Sequence, residues 1–262
     1  MVAREFRRIA AWSILLGAML LVATQMAAAQ SRTPEPIAWQ FEDIPADVLT
    51  AGFLDGHPDL YHRKGAIILD RKGRFAEARE RYRMAARYGD KPSQARLGEM
   101  YWKGEGGDVD RALGFLWMSL AAERKYEMFE AWKMYYWGQL DAKEQRHARE
   151  QDQHILREYG DAVAKKRQEV AMRRYLKTAT GSMLGAHGQA LYIQTSDGRV
   201  IESERFYARD FWEPDAYWSL QNRVWNGPTP GRVVVGEMEN VGEDAAPRSL
   251  GGEVGSENPR EP

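Results

Sequence analysis

The chain contains no cysteine. That absence excludes disulfides, thiolate metal sites, a thiol nucleophile and a lipid-modified N-terminal cysteine, so stability must rest on packing alone. A charge excess of either sign is also missing: 37 Lys and Arg stand against 38 Asp and Glu, a formal net charge of -1. Such a balance argues against a dedicated nucleic-acid binder, which needs a basic excess. Proline is absent from Asp141 to Lys177, where Gly160 alone interrupts helix-compatible sequence. Nor does the chain's N-terminal apolar run, Ile9 to Ala23, reach the ~20 residues that span a bilayer comfortably as a helix.

What surrounds that short run gives it a meaning. Arg4, Arg7 and Arg8 precede it, and the small-residue stretch Met26-Ala27-Ala28-Ala29-Gln30 follows. Basic, apolar and small segments in that order form a signal-peptide layout, with cleavage expected after Ala29. An uncleaved signal anchor is the alternative, the segment stretching into Gln25 and Met26 by tilting. The mature chain is then expected to be periplasmic or secreted, touching a membrane only through the signal segment. Cleavage removes three Arg and one Glu, which takes the charge from -1 to about -3, a weak acidic bias. Roughly 230 residues remain, enough for one large or two small domains, and nine Trp, twelve Tyr and eight Phe supply apolar surface to bury.

Pro34, Pro36, Pro45 and Pro58 break up residues 30–58, so this part is read as an irregular leader strand or turn. From Asp59 the pattern changes to helical stretches of ten to fifteen residues separated by glycine-containing turns. Two units superimpose. Lys64-Gly65-Ala66-Ile67-Ile68-Leu69, followed by Gly73, Ala78, Tyr82, Ala85 and Ala86, aligns with Leu97-Gly98-Glu99-Met100-Tyr101-Trp102, followed by Gly107, Ala112, Leu116, Ser119 and Leu120. The offset is 33 between Gly65 and Gly98 and 34 between Ala78 and Ala112, the extra residue falling in a turn. Turns tolerate insertions that helix faces do not. Small residues at Gly65, Gly98, Ala78 and Ala112 are expected to let paired helices approach closely while aromatic residues fill the next layer. A third, partial unit begins near Tyr126, with Phe129, Trp132 and Tyr136 at i, i+3 and i+7 and Gly138 ending the helix.

The second unit, Ala95-Arg96-Leu97-Gly98-Glu99-Met100-Tyr101-Trp102-Lys103-Gly104-Glu105-Gly106 with Asp110-Arg111-Ala112-Leu113-Gly114-Phe115 and Ala121-Ala122, resembles the Sel1-like repeat, a relative of the tetratricopeptide repeat. The resemblance covers about Asp59 to Leu140. It implies a superhelical stack of helix pairs used for protein–protein contacts, often in bacterial envelope or signalling proteins, with no catalytic residues to carry over. Only two units are recognisable here, and Ser119-Leu120 stands where paired alanines usually fall, so the stack is expected to be short and capped by other helices.

Beyond the repeats, Asp141 to Lys177 reads as two helices meeting at Tyr159-Gly160-Asp161, with Gly160 stopping the first and Asp161 capping the second. Residues 178–241 read as a small α+β module. It holds a β-hairpin built from Ala190–Thr195 and Val200-Ile201, a helix at Glu213–Val224 and a strand at Arg232–Val235. The tail, 242–262, has too few apolar groups to offset chain entropy and is expected to be disordered. The fold class is thus mainly α, a short Sel1/TPR-like solenoid of α-hairpins followed by helices and this module.

Candidate chemistry is sparse. Gly104-Glu105-Gly106-Gly107 could cradle a phosphate, but a dinucleotide or P-loop needs a preceding strand and a following Lys-Ser/Thr, and here a helix precedes, so a turn is preferred. His147 and His154 stand two helical turns apart, ~10 Å, too far to share one ion on a straight helix. His57, His62 and His187 are placed in expected turns, His57 and His187 beside Pro or Gly, with no triad pattern. Asp210, Glu213 and Asp215, beside Phe211, Trp212, Tyr217 and Trp218, have the composition of a glycan-cleaving cleft and equally of a capped helix with Pro214 in its first turn; the cap is preferred. The Lys165–Lys177 helix is basic enough to touch phosphate or anionic glycan, and a solvated face is preferred. No cofactor or metal is implied.

The strongest signal is aromatic density: ten aromatic residues between Tyr101 and Trp137. Most must be core, yet Met134-Tyr135-Tyr136-Trp137 is apolar all round. Trp132, Tyr136 and Trp137 are therefore the candidate binding residues, at least one of them partly exposed, for an unidentified envelope protein. A glycan hydrolase using the three carboxylates and a self-associating structural protein are the rival readings.

Overall fold

The computed structural model describes residues 34, 44–180, 192–194, 198 and 200–226. The signal segment, the Arg232–Val235 strand and the tail from Gly242 lie outside the described residues, as does His187. Within them the chain is mainly helical, with eleven α-helices and one two-stranded antiparallel sheet. Among the described residues no helix is long and apolar enough to cross a membrane.

The leader read as irregular holds a short helix, α1 (Ala51–Gly56). Thr50 caps it, its Oγ1 accepting from the Phe53 amide at 3.3 Å, and burial of Phe53 and Leu54 ties it down. Pro58 does not interrupt the chain but opens α2 (Pro58–Arg71), where the missing N–H would have had no helical partner. A three-residue turn leads to α3 (Phe75–Ala86), which packs tightly on α2.

The second pair is α4 (Lys91–Lys103) and α5 (Arg111–Ala121), each started by an aspartate. Asp90 accepts from the Ser93 amide and Asp110 from the Leu113 amide. Gly104 ends α4 in the left-handed region at φ 76°. Gly106, at φ 83°, lies so close to the start of α3 that a Cβ would stand 2.6 Å from the Phe75 carbonyl carbon. The glycine-rich stretch is a turn pressed against the first pair. Between α4 and α5 the backbones nearly touch: a Cβ on Gly98 would lie 3.0 Å from the Gly114 oxygen and 3.1 Å from the Met118 nitrogen. Gly65, its sequence counterpart, does not play this part, since a Cβ there would meet only the Arg81 Cδ at 3.9 Å.

A single 3-10 turn, Ala122–Arg124, leads to α6 (Glu127–Gln139). Then α7 (Ala142–Tyr159) opens on an Asp141–Glu144 capping box. Gly160 separates α7 from α8 (Asp161–Thr180) with extended backbone, and it must be small because a Cβ would stand 2.6 Å from the Leu156 oxygen. Asp161 is not the cap the sequence suggested. Its carboxylate takes two hydrogen bonds from Arg124, at 2.7 and 2.9 Å, and an ion pair from Lys91 at 3.0 Å. Helices α6 and α7 each pack on α5 but barely meet one another, so this third pair is open where the first two are closed.

The hairpin β1 (Tyr192–Gln194) and β2 (Val200–Glu202) pairs Ile193 with Ile201. It is followed by α9 (Ser203–Phe206), α10 (Arg209–Trp212) and α11 (Pro214–Asn226). These elements close back on the leader: Ile201, Phe206, Phe211, Trp212, Tyr217 and Trp218 share one apolar cluster with Ile44, Val48, Phe53, Leu54, Leu60 and Met172. A second cluster unites α2 to α5 with Ala148, Ile155 and Tyr159 of α7. In a third, the end of α5 joins Phe129, Trp132 and Tyr136 of α6.

Candidate functional site

The opening of the third pair is a groove of about 550 Å³, lined by Phe115, Leu116 and Ser119 of α5, Lys133, Met134 and Trp137 of α6, and Ala148 and Arg149 of α7. Helix periodicity explains which α6 residues reach it. Phe129, Trp132 and Tyr136 recur at i, i+3 and i+7 and turn toward the interior, so Lys133, Met134 and Trp137 come out on another face. Ala148 of α7 is buried against α5, which brings Arg149, the next residue, to the rim.

The groove is apolar at its floor and basic at its mouth. Trp137 packs its ring 4.9 Å from that of Phe115, tilted by 45°, and the Arg149 guanidinium stands 5.0 Å over the Trp137 ring. A guanidinium at that distance over an indole face is a cation–π contact. Met134 is 57% exposed, a flexible, polarisable side chain suited to adaptable surfaces. Lys133 is held 3.4 Å from Glu130, and none of the lining residues is a carboxylate.

The structure separates the three candidate binding residues. Tyr136 is 1% exposed and stacks flat on Trp102, ring centres 4.0 Å apart, and Trp132 meets it edge-on at 5.6 Å. Both belong to the core, because the end of α4 and the end of α5 cover that face of α6. Trp137 is half-buried and lines the groove. The sequence did not point to Phe115, Leu116, Ala148 or Arg149 as its neighbours.

The remaining candidates are placed otherwise. Asp210 pairs with Arg223 at 2.7 Å, and Glu213 takes two hydrogen bonds from Arg209, at 2.9 and 2.6 Å, on the surface; Glu213 stands directly before α11, whose first residue is Pro214 and whose Tyr217 amide donates to the Glu213 carbonyl oxygen at 2.8 Å. Hydrogen bonding from Arg209 holds the Glu213 carboxyl below its usual range. Their aromatic neighbours Phe211, Trp212, Tyr217 and Trp218 are buried in the core and do not frame a cleft. Of the basic helix, Lys165 pairs with Asp161 at 3.4 Å, Arg173 pairs with Glu169, and Arg167 donates to the Arg87 and Glu158 carbonyls. Among the described residues no three or more metal-capable side chains gather.

A buried polar seam ties the leader to the C-terminal module. His57 is fully buried, stacked on Phe53, with Nδ1 2.8 Å from the Phe53 oxygen and Nε2 2.7 Å from the Phe211 oxygen. Two carbonyls would favour a protonated ring, but burial outweighs them and lowers its pKa to about 4. Two residues on, Asp59 accepts from the Tyr217 hydroxyl, and burial, reinforced by the charge of Asp90, pushes its carboxyl up to about 7. Lys91, 1% exposed, donates to Gln94, to the Leu120 oxygen and to Glu123. These groups join elements distant in sequence.

No known family, curated protein or solved structure matches the chain.

Proposed function

We propose that this chain is an exported adaptor whose helical-repeat body binds another protein of the bacterial envelope through the groove between α6 and α7. The observation that carries the reading is the groove itself, an apolar slot at a helix pair left open, with Trp137 half-buried between Phe115 and Arg149. Large, rigid aromatic side chains set in a pocket are the groups that dominate binding at protein interfaces. The tight pairs α2/α3 and α4/α5, following one another at the offset of 33 to 34 residues, support the Sel1-like reading. The basic, apolar and small-residue order of residues 1–29 supports export. Binding is favoured over glycan hydrolysis because Asp210 and Glu213 are held in exposed ion pairs, whereas a glycosidase needs two carboxyl groups facing one cleft, one with a raised pKa.

Affinity capture from intact envelope tests this reading, with the tagged wild-type chain and its Trp137→Ala variant run in parallel. The wild type should recover a partner that the variant loses, and its intact mass should start at Gln30. An identical set of captured proteins from both chains would remove the groove from the function. A full-length chain recovered from the cytoplasm would remove export.

A further inference from the structure

The dimensions and charge of the groove define its occupant. Along α5 the lining runs from Phe115 to Ser119 and along α6 from Lys133 to Trp137, a separation of i to i+4 in each case. Four residues of helix rise about 6 Å, one turn. Two side chains at i and i+4 of another helix stand ~5–6 Å apart on one face, which matches that length. Both charged residues on the lining, Lys133 and Arg149, are cationic; Lys133 also pairs with Glu130 at 3.4 Å, whereas among the described residues Arg149 has no carboxylate partner.

Resting on the adaptor reading above, we propose that the groove receives an amphipathic helix of the partner, which inserts two large apolar side chains one turn apart and sets Asp or Glu beside them against Arg149 and Lys133. The apolar pair fills the space between Phe115, Met134 and Trp137. The acidic flank selects the helix by charge, since a basic helix would bring like charge to both rims. This is the helix-in-groove mode of recognition, with anchors spaced by one turn.

A random library of 16-residue peptides, selected on the full chain and counter-selected on Trp137→Ala, reads the chemistry without presupposing a partner. The expected outcome is enrichment of peptides with two large apolar residues at i, i+3 or i, i+4 and Asp or Glu adjacent. Labelled copies should bind at least ten-fold more weakly to Arg149→Glu, while versions with Lys in place of the acids should gain affinity for it. Met134→Glu, at an exposed position, is a second variant that preserves folding and should also repel the acidic peptides. Enriched peptides that depend on Trp137 but are basic or neutral would overturn the acidic-helix proposal and leave the groove as a docking surface. No enrichment over Trp137→Ala, or enrichment insensitive to Arg149→Glu and Met134→Glu alike, would overturn the proposal; if envelope capture also fails to separate wild type from Trp137→Ala, the adaptor reading falls with it. Palmitate binding by calorimetry that needs Trp137, in the absence of peptide binding, would replace the helix with a fatty-acid anion.

Discussion

The second helix pair is closed and the third is open, and the contrast lies in what each presents at its contact. Between α4 and α5 stand two glycines, Gly98 and Gly114, each within 3.0 Å of the other's carbonyl oxygen at the Cβ position. With backbones that close, the large rings of this pair are sent elsewhere: Trp102 stacks on Tyr136 of α6, and Trp117 meets Tyr159 of α7 at 4.7 Å. Between α6 and α7 there is no such pair of small residues. Met134, Trp137 and Arg149 occupy the space, and interaxial distance follows the side chains at the contact. Closure is therefore set by small residues at one crossing point, and the aromatic content that fills the core of one pair becomes the lining of a groove in the next.

The largest break in that contrast comes from the face that α6 turns inward. Tyr136→Ala should destabilise the fold by about 3–5 kcal/mol, because it removes a buried ring stacked on Trp102 and leaves a cavity. Denaturant unfolding measures it, and a loss under ~1 kcal/mol would place Tyr136 at the surface instead. Gly98→Leu comes next, at ~3 kcal/mol, the upper end of overpacking, because the clash is with backbone and not with a flexible side-chain end. An unchanged melting temperature would mean that α4 and α5 do not cross there. Trp137→Ala should cost no more than about 2 kcal/mol in stability, being half-buried, but weaken partner binding by at least ~2 kcal/mol. Stability and binding thus separate along one helix, and a variant that loses both in proportion would return Trp137 to the core.

Much of this contrast was legible in the sequence, and the illegible part has a common cause. Local signals sufficed for the Gly104 turn, the helix beginning after Asp141, the break at Gly160 and the pairing of the strands around Ile193 and Ile201, since backbone conformation and capping act within a few residues. Sequence also marked Trp137 as a candidate, because a run apolar all round cannot be buried on every side. It could not separate Trp137 from Trp132 and Tyr136 without knowing which face of α6 the ends of α4 and α5 cover. Gly65 and Gly98 look equivalent in the alignment and differ in their neighbours. His57, read as a turn histidine, finds its second hydrogen-bond partner 154 residues away at Phe211. Asp161, one residue past a helix break, is drawn from capping by Arg124 and Lys91. Each of these depends on a partner from another element, and periodicity carries no information about that.

The smallest expected effect is also the sharpest test of the contrast, because one substitution should change sign between the two pairs. Glycine in a helix is less favourable than alanine by up to ~1 kcal/mol, so filling a helical glycine stabilises wherever there is room. At Gly138 of the open pair nothing lies within 4 Å of the added Cβ. The position is one residue from the end of α6, where helix propensity counts for less, so Gly138→Ala should gain ~0.5 kcal/mol, a rise of roughly 1–2 °C in melting temperature. Partner binding should be unchanged, since Gly138 does not line the groove. At Gly98 of the closed pair the same methyl group would meet the Gly114 oxygen at 3.0 Å and the Met118 nitrogen at 3.1 Å. Helices must part to admit it, and Gly98→Ala should lower the melting temperature despite the better helix former. Scanning calorimetry of the two alanine variants decides the point: opposite shifts are expected, and two shifts of the same sign would mean that α4/α5 and α6/α7 are separated by the same distance.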